Sequence, residues 1–128
     1  MTSRISRLAA PLVLAGLLVA TTACVQQSGL PSDCDASQVE RTATLSAGGL
    51  DPDGFAVCKG QTVTITITVE YAGELHLHGY DDQVPEREVE VGDVAKLEFT
   101  ASRAGQFPIE LHTDTDEIDL AILTVHER

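Results

Sequence analysis

Thr62-Val63-Thr64-Ile65-Thr66-Ile67-Thr68-Val69 alternates without error between threonine and a branched aliphatic residue. A period of two puts Val63, Ile65, Ile67 and Val69 on one face of an extended chain and the four threonines on the other. β-branched side chains suit the pleated surface of a sheet, so the stretch predicts a strand with one face buried and one wet.

The same period recurs outward in both directions, around Arg41 to Leu45, Phe55 to Val57, Glu74 to His78, Glu88 to Val91, Ala95 to Ala101, Phe107 to His112 and Ile118 to Val125. Turn chemistry separates the runs: Gly48-Gly49, Asp51-Pro52-Asp53-Gly54, Lys59-Gly60, Ala72-Gly73, Gly79 to Pro85, Gly92-Asp93, Ala104-Gly105 and Asp114 to Glu117. About eight short strands with no helical stretch between them predict an all-β, antiparallel, two-sheet sandwich over residues 39–128. No internal repeat is visible.

The N-terminus has a different character. After Arg4 and Arg7, Leu8 to Ala23 is apolar and uncharged, ending in small residues before Cys24. A basic start and a short greasy core have the form of an export signal and fall below the roughly 20 residues of a membrane span. Ala20-Thr21-Thr22-Ala23-Cys24 resembles a bacterial lipobox, with Thr21 where Leu is usual, so residues 1–23 are read as a signal peptide and Cys24 as the site of lipidation. The expected location is the cell membrane, lipid-anchored and facing the extracytoplasmic side. Residues 24–38 lack a hydrophobic period, are rich in Gln, Ser and Asp, and read as a flexible tether. With Cys24 lipidated, Cys34 and Cys58 remain as one pair in an oxidising setting.

The 128 residues carry 8 Lys+Arg against 20 Asp+Glu, a formal charge of -12. Removal of residues 1–23 takes two arginines and no acid, leaving six bases against 20 acids and a charge of -14. Such a surface repels phosphate backbones, so no nucleic-acid partner is expected. No G-x-G-x-x-G, phosphate-binding loop or G-x-S-x-G occurs, and no free thiol is expected, which excludes nucleotide-binding α/β enzymes and the common hydrolases. The chain is read as a monomer and not as an enzyme, with an unknown protein partner left open.

Residues 41–125 resemble a cupredoxin-like domain. The resemblance is carried by Gly49 to Pro52, Phe55-Ala-Val57, Gly60-Gln-Thr-Val63 with the Thr/Ile strand, Leu75-His-Leu-His-Gly-Tyr-Asp81, Val91-Gly-Asp-Val94, and Ala104-Gly-Gln-Phe107 leading to Ile109-Glu-Leu-His112. It implies a Greek-key sandwich. Blue-copper chemistry needs a Cys and a second His from a late loop and usually an axial Met. Residue-by-residue matching puts Leu111 where the thiolate would sit, and the mature chain contains no Met. Blue-copper electron transfer is therefore not expected.

Three of the four histidines fall in segments that supply ligands in that family. With Leu75 and Leu77 facing the core, His76 and His78 project from one face, their Cβ atoms roughly 6 to 7 Å apart along the strand. His112 lies on the face opposite Leu111. Three imidazoles with an open fourth position suit copper or zinc. Glu74, Tyr80, Asp81, Glu110 and Asp114 are candidates for orienting the imidazoles. The acidic run Asp114 to Asp119 reads as a hairpin tip and not as a calcium loop, and His126 as a frayed end. The expectation is a membrane-anchored binding module holding copper or zinc through His76, His78 and His112; the alternative is a metal-free structural or interaction domain on the cell surface.

Overall fold

The computed structural model describes residues 29–128. Cys24 and the export signal lie outside the described residues. Nine strands follow one another: β1 Gln38–Ser46, β2 Gly49–Asp51, β3 Gly54–Cys58, β4 Thr62–Val69, β5 Gly73–Leu77, β6 Arg87–Val89, β7 Val94–Thr100, β8 Gly105–His112 and β9 Glu117–His126. They form a four-stranded sheet in the order β2-β1-β4-β7 and a five-stranded sheet in the order β3-β9-β8-β5-β6.

The alternation sets which face is buried. Val63, Ile65, Ile67 and Val69 of β4 meet Ala95, Leu97 and Phe99 of β7 on the inner face, and Leu75, Leu77, Ile109 and Leu111 close the core from the other sheet. All are almost completely buried, at about 25 cal/mol per Å² of apolar surface removed from water.

The sandwich forms as the sequence predicts, but its sheets are mixed rather than antiparallel throughout. β1 pairs in parallel with β4, and β3 with β9. The reason is the path of the chain. After the β1–β2 hairpin, β3 joins the opposite sheet, and β4 returns beside β1 running in the same direction. A period of two marks the buried face and carries no information on strand direction. The three-residue β2 has too few residues to show a period and was not expected as a separate strand.

The N-terminal stretch also differs from expectation. Residues 33–38, read from composition as tether, are fastened to the domain. Cys34 is bonded to Cys58, Arg41 Nη2 donates to Asp33 Oδ2 at 2.9 Å, and the completely buried Gln61 donates from Nε2 to the carbonyls of Asp33 (2.7 Å) and Ala36 (2.9 Å). Gln61 Oε1 accepts the Cys58 N–H at 2.7 Å. The disulfide spans 24 residues of sequence. Loop closure at that length is worth roughly 3 to 4 kcal/mol, so Cys58→Ser should lower the unfolding free energy by about 2 to 5 kcal/mol in chemical denaturation. An unchanged midpoint would show that the remaining contacts hold the segment unaided.

Candidate metal centre

β5 and β8 are antiparallel neighbours, with Leu75 opposite Leu111, His76 opposite Glu110 and Glu74 opposite His112. Since the leucines face the core, His76, Glu110 and His112 share the outer face of the five-stranded sheet. A bulge between Ile109 and Glu110 opposite β9 pairs Ile109 with Ala121 and Glu110 with Asp119, leaving Leu120 as the extra residue. Bulges re-aim the residues beside them, and this one lies at the level of Glu110.

His78 lies just past the end of β5, yet it stays with the cluster. Its N–H donates to the Pro108 carbonyl at 3.0 Å, continuing the pairing with β8. The chain then turns at Gly79, whose φ of 79° is in the left-handed region. A Cβ at Gly79 would stand 2.8 Å from Phe107 Cδ1, so conformation and space both require glycine. At the other end of β5, a Cβ on Gly73 would lie 2.8 Å from the His112 carbonyl, so glycine lets the two strands approach where the cluster forms.

The three imidazoles converge more closely than strand spacing alone predicts. The His76 ring centroid is 4.0 Å from that of His78 and 5.6 Å from that of His112. One ligand atom from each of His76, His78, Glu110 and His112 falls within 4.8 Å of the others. All three histidines expected from the sequence are thus brought together. Glu110, expected as an orienting group, stands among them as a fourth donor. His76 and Glu110 are buried, while His78 and His112 are partly exposed.

Carboxylates surround the rings. His78 Nε2–H donates to Glu110 Oε2 at 2.5 Å, and His112 Nε2 lies 3.4 Å from the same oxygen and 3.6 Å from Glu117 Oε2. His76 Nε2–H donates to Asp81 Oδ1 at 2.6 Å. Its Nδ1 lies 2.9 Å from Glu86 Oε1 but has no aligned hydrogen-bond partner. Of the remaining expected orienting groups, Tyr80 turns into the core, donating to the Arg103 carbonyl at 3.3 Å, and Glu74 and Asp114 line a neighbouring groove. Glu86 carried no sequence signal. It sits in the loop before β6, and only the folded path of that loop brings it to His76.

Proton affinities follow these contacts. The hydrogen bond to Glu110 raises His78 above the ordinary imidazole value, with burial opposing. Glu110 is lowered, first by His78, with burial opposing and His112 assisting. Asp81 is lowered by the hydrogen bond from His76. Glu74 is raised by a hydrogen bond with Glu86, by burial and by the charges of Glu86 and Glu88.

For the metal-free protein, the His78–Glu110 pair therefore stabilises the fold within a window. The His78 contribution is fully present below pH 6.5 and lost as pH rises through its raised folded value. The Glu110 contribution is present above 4.5 and lost as pH falls through its lowered one. In an NMR titration His78 should show a midpoint above 6.5, and Glu110→Gln should bring it down. A midpoint unaffected by Glu110→Gln would exclude the pairing as its cause.

His126 is not frayed: it ends β9, pairs with Cys58, and its carbonyl accepts the Lys59 N–H at 2.9 Å. It stands at the opposite end of β9 from Glu117, the residue paired with His112. The acidic run forms the expected hairpin tip, with the Thr113 N–H donating to the Asp116 carbonyl at 2.8 Å.

No family model matches the sequence, and neither does any curated protein. Solved structures do match in fold. The metal binding domain of the Cu(I) exporting P-type ATPase CopA of Streptococcus pneumoniae D39 superposes with a TM-score of 0.55 at 14% identity, covering 72% of this chain and 89% of that one. A copper binding protein in its apo form gives 0.54 at 14% identity, covering 70% and 89%. The Blue Copper Oxidase of Nitrosomonas europaea gives 0.58 at 18% identity, covering 71% of this chain but only 39% of the oxidase. At these identities the likeness is one of architecture. By fold the chain is a cupredoxin-like β-sandwich.

Proposed function

We propose that the chain is a lipid-anchored, extracytoplasmic module that binds copper through His76, His78 and His112, with Glu110 completing the donor set. The observation that carries this is the convergence of four ligand atoms within 4.8 Å on one face of the sandwich. The buried Nδ1 of His76, which has no hydrogen-bond partner, supports the fit of these residues to a metal. With Nε2–H held by Asp81, the neutral ring has its lone pair on Nδ1, the pattern of a ligating histidine oriented by a carboxylate. Two of the proteins sharing the fold are described as a metal binding domain with Cu(I) and a copper binding protein, which favours copper over zinc as the cargo.

The donor set distinguishes this site from a thiolate centre. Leu111 is buried in the core, and the two cysteines of the folded domain are joined to each other. Bound copper would supply a positive centre among carboxylates that otherwise repel one another. Three imidazoles and a carboxylate suit Cu(II) better than Cu(I), which prefers sulfur. The role is binding, without catalysis or blue-copper electron transfer.

Calorimetric titration of the purified protein with Cu(II) and Zn(II) tests the proposal. Saturable binding of one copper, with a pale complex lacking an intense thiolate band, is the expected result. Binding of zinc in preference would change the cargo, and binding of neither would leave the metal-free interaction domain as the better account. The anchor is tested separately. Cys24→Ser should release the protein from the membrane fraction and remove the mass of the lipid, and a variant that stays membrane-bound at wild-type mass would refute lipidation.

A further inference from the structure

The Tyr80 N–H donates to the Leu77 carbonyl at 3.4 Å, closing a β-turn with His78 and Gly79 at its centre. Gly79 takes a φ of 79°, the left-handed value that the third position of a type II turn requires. Asp81 follows at once: its Oδ2 accepts the Gly79 N–H at 3.2 Å, and its Oδ1 stands 2.6 Å from His76 Nε2. Two of the three imidazoles therefore depend on this turn, since His78 rides on it and His76 is held through Asp81. His112 does not, because it lies on β8 opposite Glu74, toward the other end of β5.

Arg103, from the loop between β7 and β8, grips the turn in two directions. Its Nη2 donates to the Gly79 carbonyl, and its own carbonyl accepts the Tyr80 hydroxyl at 3.3 Å. The guanidinium also lies over the rings of Tyr80 and Phe107, 5.7 and 5.5 Å from their centroids, within the range of cation–π attraction. Those rings meet edge to face at 4.9 Å and Tyr80 is buried, so the arginine rests on a fixed platform. Farther along, Gln83 and Thr100 exchange two hydrogen bonds, at 2.8 and 3.3 Å. The two loops thus stay joined without Arg103, and its loss frees the turn while the domain remains folded.

We infer that Arg103 is a positioning residue of the copper site, holding His78 and Asp81 in place before the metal arrives. This rests on the copper-binding proposal and adds to it a residue whose hydrogen bonds go to none of the donors. Donors gathered from two strands and a turn bind more weakly when one of them must be ordered at the moment of binding, and a clamp on the turn removes that cost. The sign of the effect separates this role from electrostatics. Removing a cation from a chain of charge -12 should, by charge alone, tighten the hold on a metal ion. Loss of positioning should loosen it.

The test compares wild type with Arg103→Ala, Arg103→Lys and Arg41→Ala. Arg41 donates at 2.9 Å to both Asp33 and the Ala56 carbonyl, near the disulfide, so Arg41→Ala matches the lost charge and structural contacts away from the turn. In calorimetry Arg103→Ala is expected to bind Cu(II) about tenfold more weakly, and the electron paramagnetic resonance spectrum of its complex should shift. Arg103→Lys keeps the charge and a donor for the Gly79 carbonyl, and should recover part of the affinity. Arg41→Ala should match wild type. In the metal-free protein, the imidazole NMR signals of His76 and His78 should move on Arg103→Ala while that of His112 stays. Unchanged or tighter Cu(II) binding by Arg103→Ala, equal weakening by Arg41→Ala, or a His112 signal that moves as far as the other two overturns the assignment and leaves the copper-binding proposal standing. A wild-type protein that takes up no Cu(II) overturns both.

Discussion

His76→Ala is expected to weaken Cu(II) binding by at least about 100-fold, or roughly 2.7 kcal/mol. His76 is the imidazole with close ring contacts to both of the others, at 4.0 and 5.6 Å, and it is buried between Asp81 and Glu86. Its removal therefore takes away a donor and leaves two carboxylates facing a vacated position. His78→Ala and His112→Ala should each cost less, since both rings are partly exposed and water can take over some of their coordination. Asp81→Asn should cost about 10- to 100-fold through loss of the tautomer it fixes. His126→Ala should change nothing, because it lies at the far end of β9. Equal, weak binding by all these variants in calorimetry would place the metal on scattered surface carboxylates instead.

The second large effect concerns stability. Gln61→Leu should lower the unfolding free energy by about 2 to 4 kcal/mol, a fall in Tm on the order of 10 to 20 °C for a domain of this size. The three bonds of this completely buried amide are not equivalent. The Asp33 carbonyl also accepts the Ala36 N–H at 3.0 Å, and the Ala36 carbonyl also accepts from Arg128 at 3.3 Å, so each keeps a partner. The Cys58 N–H has Gln61 Oε1 alone to satisfy it and would be left buried without an acceptor. Gln61 and the disulfide hold the same segment, so Gln61→Leu combined with Cys58→Ser should cost measurably less or more than the two apart. Strict additivity in denaturant titrations would show the two fastenings to be independent.

How far the sequence reaches depends on what each pattern encodes. Alternation along 62–69 identifies a strand and its buried face, and the same alternation around Leu75 and Leu111 correctly places His76 and His112 on one outer face. Strand direction is another matter, since Thr62 to Val69 reads the same beside a parallel or an antiparallel neighbour. The cluster was legible as three histidines and not as a geometry. The rings close to 4.0 Å because β5 ends at Leu77 and the turn at Gly79 redirects His78, details below the resolution of a two-residue period. Glu110 was visible on the His112 face, but the register that sets it opposite His76 is a property of two strands together. Glu86 and Gln61 lie in loops, where residue type alone does not reveal a partner.

The bond between Cys34 and Cys58 also gives the molecule a direction. Cys58 pairs with His126, the last residue of β9, whereas His76 and His112 lie toward the beginning of that strand, at the level of Asp119 and Glu117. Seven residues of strand separate the two levels, about 20 to 25 Å. From Cys24 to Cys34 the chain can reach at most about 35 Å. If Cys24 is held in a bilayer, the tether joins the sandwich at its disulfide end, and the histidines stand at the level farther from that point of attachment.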